Sequence, residues 1–209
     1  MTRPSTEAAR RRYSDQIIRP AGALFLGCCL MAGSPSPHAQ LSEDQRRIIV
    51  SSPAQASQFI LRLEDLPAES TIASGLTYAT KQFGLVQVSP DGRRAAFSTM
   101  GHHSMVGLVN LQTEKLTEID LIAEGDVLAL HWSPDSRFMA YEILPASGYR
   151  RVKVYDAQTM SARPLDVPEG DPRVHVAFQG WDEPAWLQLI VTGIPSQRQQ
   201  TFSIDLVAD

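Results

Sequence analysis

Cysteine is nearly absent from the chain. Among its 209 residues only Cys28 and Cys29 are cysteines, and both lie in an apolar stretch near the N-terminus. If that stretch is removed after export, the remaining chain holds no cysteine. Such a chain can form no disulfide, has no reactive thiolate and offers no cysteine ligand to a metal.

The familiar motifs of catalysis and cofactor binding are also missing. The chain contains no Gly-x-Ser-x-Gly nucleophile elbow, no His-Glu-x-x-His pair and no glycine-rich phosphate loop. Four histidines, His102, His103, His131 and His175, could gather at one end of a β-protein. Neighbouring strand residues point to opposite faces, however, so His102 and His103 can share a metal only in a turn. We therefore predict a protein that is not an enzyme, with no catalytic residue, no metal site and no cofactor.

Positive charge is scarce beyond the N-terminal segment. The formal net charge is −4. Residues 1–39 hold five arginines and two acidic residues, Glu7 and Asp15, so 14 basic and 21 acidic residues remain after them. Nucleic-acid affinity comes largely from lysine and arginine on phosphates. Neither a nucleic acid nor an anionic membrane surface is therefore an expected partner.

The apolar run near the N-terminus is too short to span a membrane. It covers 13 residues, 21–33, after a basic segment that includes Arg10, Arg11, Arg12 and Arg19. About 20 apolar residues are needed to cross the hydrocarbon layer, so the pattern predicts a cleavable signal peptide. We place it at residues 1–39, with cleavage after Ala39 or a few positions away, and expect a periplasmic protein. A lipoprotein signal at Cys28 and a twin-arginine signal are weaker alternatives.

Residues 40–55 are interpreted as an N-terminal helix and linker. Ser42 and Gln45 have the spacing of a capping box, and Glu43 and Asp44 suit the positive end of a helix. The pattern predicts a short helix over residues 41–52 that ends before Pro53.

An internal repeat dominates residues 56–209. Short apolar runs alternate with turn residues about every ten positions, which is typical of all-β domains. Ser89-Pro90-Asp91-Gly92 recurs as Ser133-Pro134-Asp135-Ser136, 44 residues later, within the ~40–45 residues of a four-stranded propeller blade. A faint third copy places Trp181 and Asp205 at the spacing of Trp132 and Asp156.

The repeated acids are assigned to the scaffold. Ser-Pro-Asp-Gly suits a tight turn, so Asp91 and Asp135 are expected to accept hydrogen bonds from backbone amides. Trp132 and Trp181 should fill the space between blades with apolar surface.

These motifs resemble the WD40-like PD40 repeats of the TolB family. The resemblance covers about residues 82–206 and implies periplasmic β-propeller blades that bind other proteins. We assign blade I to residues 82–122, blade II to 126–167 and blade III, without an obvious fourth strand, to 172–209. Residues 56–80 could supply the last strands of a further blade.

The predicted fold is all-β, with about three to four four-stranded antiparallel blades. A closed propeller has four to eight blades, so the ring is expected to be incomplete. Our main hypothesis is a protein-binding or scaffolding module of the cell envelope, whose open array is completed by a protein partner or by self-association, as in a head-to-tail homodimer. A ligand- or cation-sensing accessory propeller for a periplasmic enzyme complex is the alternative. A truncated remnant without a stable fold is a third.

Overall fold

The chain folds almost entirely into antiparallel β-sheets. A computed structural model describes residues 37–51, 58–67, 69–71, 77–165, 173–194 and 196–207. The described strands, with one 3-10 turn at Leu63–Asp65, are β1 (His38–Leu41), β2 (Arg47–Ser51), β3 (Phe59–Arg62), β4 (Glu69–Thr71), β5 (Thr77–Ala79), β6 (Gln82–Val88), β7 (Arg94–Met100), β8 (Ser104–Asn110), β9 (Leu116–Ile122), β10 (Asp126–Trp132), β11 (Phe138–Leu144), β12 (Arg151–Asp156), β13 (Ser161–Pro164), β14 (Val174–Glu183), β15 (Trp186–Gly193) and β16 (Gln199–Asp205).

Blades I and II are four-stranded meanders, as the repeat predicts. Blade I consists of β6, β7, β8 and β9, and blade II of β10, β11, β12 and β13, each in chain order. In both blades the Ser-Pro-Asp turn joins the first strand to the second. The third strand ends at Asn110 in blade I and at Asp156 in blade II, which confirms the alignment of the two copies.

Blade III has three strands. Strands β14, β15 and β16 pair in chain order, and β14 turns into β15 through a two-residue hairpin between Glu183 and Trp186. Among the described strands, β16 pairs only with β15.

The predicted helix over residues 41–52 is wrong. Its described residues, 41–51, form the end of β1, a turn and β2, and the two strands pair in the register Leu41 to Ile48 and Ala39 to Val50. The polar residues that suggest a capping box make a repeat turn instead, because Ser42 Oγ donates to Asp44 Oδ1 and accepts the amide of Arg47. Strands β1, β2 and β3 form a three-stranded N-terminal sheet.

The strands proposed for a further blade within residues 56–80 are divided between two sheets. Strand β3 completes the N-terminal sheet, whereas β4 and β5 pair only with each other among the described strands.

The three blades stack in one direction. We call "front" the face of each blade that carries the second and fourth residues of its second strand, and "rear" the opposite face. The rear of blade I, with Ala96 and Leu108, packs on the front of blade II, with Met139 and Tyr141. The rear of blade II packs in the same way on Leu187 and Leu189 of blade III.

The N-terminal sheet does not follow this order. Its front face packs on the front face of blade I, and its strands run in the opposite direction to the corresponding strands of blade I. Ile48 and Val50 are the second and fourth residues of β2, and so lie on the front face. They pack in one cluster with Ala95 and Phe97 of blade I. Gln45 O, in its turn, accepts the amide of Phe83 at the start of β6, at 2.8 Å.

The other end of the N-terminal sheet fixes the same orientation. Pro37, which precedes β1, lies against Gly92, in the turn that follows β6. A Cβ added to Gly92 would stand 2.9 Å from Pro37 Cγ. Strand β1 therefore runs antiparallel to β6. Among the described residues three apolar clusters link neighbouring sheets, and none joins blade III to the N-terminal sheet. The stack is open.

Candidate functional site

The turn acids are structural, as the repeat predicts. Asp91 Oδ1 accepts from Ser89 Oγ at 2.5 Å and from the amide of Arg93 at 3.0 Å. Asp135 does the same with Ser133 at 2.6 Å and with the amide of Arg137 at 3.0 Å. Each carboxylate is thereby satisfied within its own turn, where it fixes the path from first to second strand.

Trp132 and the turns tie blade II to blade I. The indole Nε1 of Trp132, which is buried, donates to Gln87 O at 3.2 Å. The amide of Asp91 donates to Ser136 Oγ at 2.9 Å, so one turn bonds to the next. Trp181 also packs between blades, yet its Nε1 is buried without a hydrogen-bond partner. The predicted spacer role of both tryptophans is confirmed.

A three-residue polar cluster links β9, the outer strand of blade I, to β11 and β12 of blade II. Asp120 Oδ2, on β9, accepts from the hydroxyl of Tyr141 at 2.9 Å and from Lys153 Nζ at 2.6 Å. Burial, with the charge of Asp120, raises the pKa of Tyr141 well above its usual range. The phenol therefore stays a hydrogen-bond donor.

Glu142 is the centre of a second cluster, between blades II and III. It is 3% exposed, and its Oε1 lies 3.2 Å from His131 Nε2, whereas Oε2 lies 2.6 Å from an Arg150 guanidinium nitrogen. The amide of Phe178 also donates to Oε2, at 3.2 Å. Burial alone would raise the pKa of Glu142, but these hydrogen bonds and the charge of Arg150 outweigh it and hold the pKa below its ordinary value.

Aromatic stacking completes this cluster. The imidazole of His131 lies parallel to the ring of Phe178 at 3.9 Å, and Phe178 meets Trp181 edge to face at 5.9 Å. A buried carboxylate that accepts three hydrogen bonds and faces a guanidinium is a fixed anion. Its chemistry is that of a clamp between two blades.

The four histidines occupy different places. His102 and His103 lie in the turn between β7 and β8, with ring centroids 4.5 Å apart, and His103 Nδ1 accepts the amide of Glu124. His175 Nδ1 accepts the amide of Arg150. Within the described residues no group of three or more His, Cys, Asp or Glu side chains could hold a metal ion. In the same part of the chain, no helix is long and apolar enough to cross a membrane.

Strand β16 presents an uncovered edge, which we call the open edge (Gln199–Asp205). In blades I and II a fourth strand pairs with the third, whereas among the described strands β16 has a neighbour on one side only. Unpaired amides and carbonyls along such an edge are a template for another strand. The open edge is the strongest candidate for a functional surface.

The rear face of blade III differs from the rear faces inside the stack. Gln188, Thr201 and Ser203 lie where alanine and valine stand in blade II, and Trp186 remains 38% exposed. A polar outer face is what terminal repeats of a stack carry. Blade III therefore ends the apolar stacking but leaves its third strand open.

The clusters around Asp120 and Glu142 have no motif signature in the sequence. Asp120, Glu142, Arg150 and Lys153 belong to no motif, and each lies on a different element from its partners. A charged residue within an apolar strand run, as at Glu142 in Phe138–Leu144, was the one available signal.

Solved β-propeller structures resemble the chain at low similarity. The β-propeller domain of the Trilobed protease from Pyrococcus furiosus, described as having an open velcro topology, is 12% identical with a TM-score of 0.45, over 79% of this chain and 52% of that chain. U3-55K is 14% identical, with a TM-score of 0.46, over 81% and 50%. The tricorn protease is 14% identical, also with a TM-score of 0.46, over 83% and 23%.

The chain spans about half the length of the first two structures and about a quarter of the third. No protein-family model and no curated protein matches it. The order of strands in its own sheets defines the fold of the described residues: an open run of β-propeller blades with an inverted sheet on its first blade.

Proposed function

We propose that the protein is an exported, non-catalytic blade-repeat protein of the TolB-like, PD40 kind, which acts in the periplasm as a protein-binding scaffold. The observation that carries the proposal is the open edge of blade III. A protein partner binds there by adding a strand, a recognition mode in which main-chain hydrogen bonds supply affinity.

The hydrogen-bond partners of four blade acids, of which Glu142 is buried, support a scaffold rather than a catalyst. Asp91 and Asp135 are bound within their turns, Asp120 bridges blades I and II, and Glu142 bridges blades II and III. A general acid or base needs a pKa near the working pH, whereas the pKa of Glu142 is lowered by its partners. Asp91 and Asp135 fix their turns, and Asp120 and Glu142 hold neighbouring blades together.

The N-terminal sequence supports export. The basic segment and the 13-residue apolar run lie in residues 1–36, outside the described residues. Strand β1 begins at His38 and Pro37 packs on blade I, so cleavage after Ala39 would remove half of β1. We therefore expect processing a few residues earlier, within the range that the sequence left open.

Site-specific cross-linking in cells tests the proposal. A photoreactive amino acid at Ser203, in the open edge, should give adducts with an envelope protein, because Ser203 is exposed there. The same group at Thr113, exposed in the turn after β8, is the matched control and should give none. Equal adducts at both positions, no adduct at Ser203, or an unprocessed chain in the cytoplasm would contradict the proposal.

A further inference from the structure

The open edge lacks the protection that other strand edges in the described part of the chain possess. Natural proteins blunt exposed edges with short strands, proline, lysine, inward charges or bulges. Strand β13, the outer strand of blade II, has four residues and ends in Pro164, and β3 has four and ends in Arg62. Strand β9, the outer strand of blade I, is as long as β16 but carries Glu118 and Asp120 and a register shift.

Strand β16 has none of these devices. It is seven residues long, Gln-Gln-Thr-Phe-Ser-Ile-Asp, and pairs with β15 without a register shift. Its single charged residue is Asp205, at the end of the strand. The first strands of the three blades, which also have a free edge, are each interrupted by a shift. Among the described strands, β16 is thus the long, flat edge without these protecting features.

The sequence of β16 is complementary to itself. Antiparallel pairing of two copies with full overlap places Phe202 opposite the second copy's Phe202, Thr201 opposite Ser203, Gln200 opposite Ile204 and Gln199 opposite Asp205. No two like charges meet in this register, and the central pair is aromatic, which stabilises cross-strand contacts. The two-fold relation also closes the association at two chains.

We propose that the occupant of the open edge is the β16 strand of a second copy, joined antiparallel about a two-fold axis at Phe202. This inference rests on the proposed binding role of the open edge and names its partner. It replaces the head-to-tail ring, because the front of blade I, on which a ring would close, is already covered by the N-terminal sheet.

The test is a charge-swap series at Thr201 and Ser203, both exposed. The protein, purified after expression of the full 209-residue chain, should sediment as a dimer at micromolar concentration. The double variant T201K/S203K puts lysine opposite lysine twice, and T201E/S203E puts glutamate opposite glutamate twice. Each should raise the dimer dissociation constant by about tenfold or more, since like charges directly opposite destabilise paired strands.

The matched control is T201K/S203E, which alters the same two positions but places lysine opposite glutamate in both halves. It should remain dimeric, and a mixture of T201K/S203K with T201E/S203E should form a mixed dimer. Circular dichroism spectra with the β-sheet signature of the parent and a cooperative unfolding transition establish that all three variants fold, and the dimeric variant should have the higher midpoint because association stabilises the folded state. A monomeric parent protein, or equal dissociation of T201K/S203K and T201K/S203E, would overturn the inference.

The same series separates this inference from the proposed function. Cross-linked adducts at Ser203 with a different envelope protein, together with a monomeric parent, would keep the binding role and reject the second copy as occupant. Absence of adducts of any kind, the homodimer included, would reject both.

Discussion

The middle of the stack and its two ends are built from the same repeat but differ in strand number and in how many faces pack on a neighbouring sheet. Blades I and II have four strands and the full Ser-Pro-Asp turn, whereas the N-terminal sheet and blade III have three strands. The N-terminal turn keeps the hydrogen bonds of the repeat without its proline, and blade III has a two-residue hairpin in its place. Inside the stack both faces of a blade are apolar, because each must bury itself on a neighbour. At the ends one face is polar, or the sheet is inverted.

The inverted N-terminal sheet shows how the first blade is covered without a ring. The front of blade I is apolar, with Ala95 and Phe97 fully buried, and in a ring the last blade would cover it. Here Ile48 and Val50 cover it, from a sheet that keeps the repeat turn but runs in the opposite direction. Capping of this kind satisfies the apolar face and leaves the far end of the stack free.

Truncation of a middle-blade core residue should have the largest effect. Tyr141 is fully buried at the interface of blades I and II and also donates to Asp120. We expect Y141A to lower the free energy of unfolding by about 3–5 kcal/mol, from lost burial and the cavity left behind. Y141F should cost only about 1 kcal/mol, because Lys153 still satisfies Asp120.

Urea denaturation of the two variants measures this difference. The matched end-blade variant is W186A, since Trp186 is 38% exposed and should lose about 1 kcal/mol or less. A similar loss for W186A and Y141A would show that blade III is as tightly packed as the middle of the stack.

Removal of the charge at the interface of blades II and III should have the next largest effect. E142Q leaves Arg150 and His131 without their carboxylate, at a cost of about 1–3 kcal/mol, reduced because both partners are partly exposed. The pKa of Glu142 is lower in the folded protein than its ordinary value of 4.5. Its stabilising effect is therefore present above about pH 4.5 and is lost as pH falls through the folded pKa.

Thermal unfolding of the parent and E142Q between pH 7 and pH 3 checks the sign. The two midpoints should converge as the solution is acidified, because protonation of Glu142 in the parent removes the same charge. A constant difference over this range would mean that the carboxylate does not stabilise the interface through its charge.

The two tryptophans test the comparison more finely. W132F removes the donor that Gln87 O accepts, so it should cost about 0.5–1.5 kcal/mol beyond the change in burial. W181F removes a buried N–H that has no hydrogen-bond partner, so its cost should be smaller. Urea midpoints of the two variants give the order, and a larger loss for W181F would contradict it.

The smallest expected effect lies in the turns. Gln45 and Ser136 have positive φ, of 54° and 64°, where the middle turn has Gly92 at 69°. Q45G should stabilise the protein by about 0.5–1 kcal/mol, because glycine adopts this conformation without strain. S136G gains the same relief but loses the bond from the Asp91 amide, so it should show little gain. Equal gains in both would mean that this bond between the turns contributes nothing.

The sequence predicted the middle of the molecule well. The 44-residue spacing of Pro90 and Pro134 located the turns, and the strands of blades I and II fall within the predicted ranges. It failed at residues 41–52, because Ser42, Asp44 and Gln45 serve equally well as a helix cap or as a strand turn. The alternation that decides between them, with Ile48 and Val50 buried and Ile49 half-buried, becomes visible only when β2 has a neighbour on one face.

The sequence by itself determined the repeat, its turns and the all-β class, since these depend on local spacing and on residues that fix φ or satisfy amides nearby. Tertiary structure alone decided the inversion of the N-terminal sheet, the bridging role of Glu142 and the exposure of β16. Each of these depends on which face or edge contacts a segment tens of residues away. Local sequence spacing does not indicate such long-range contacts.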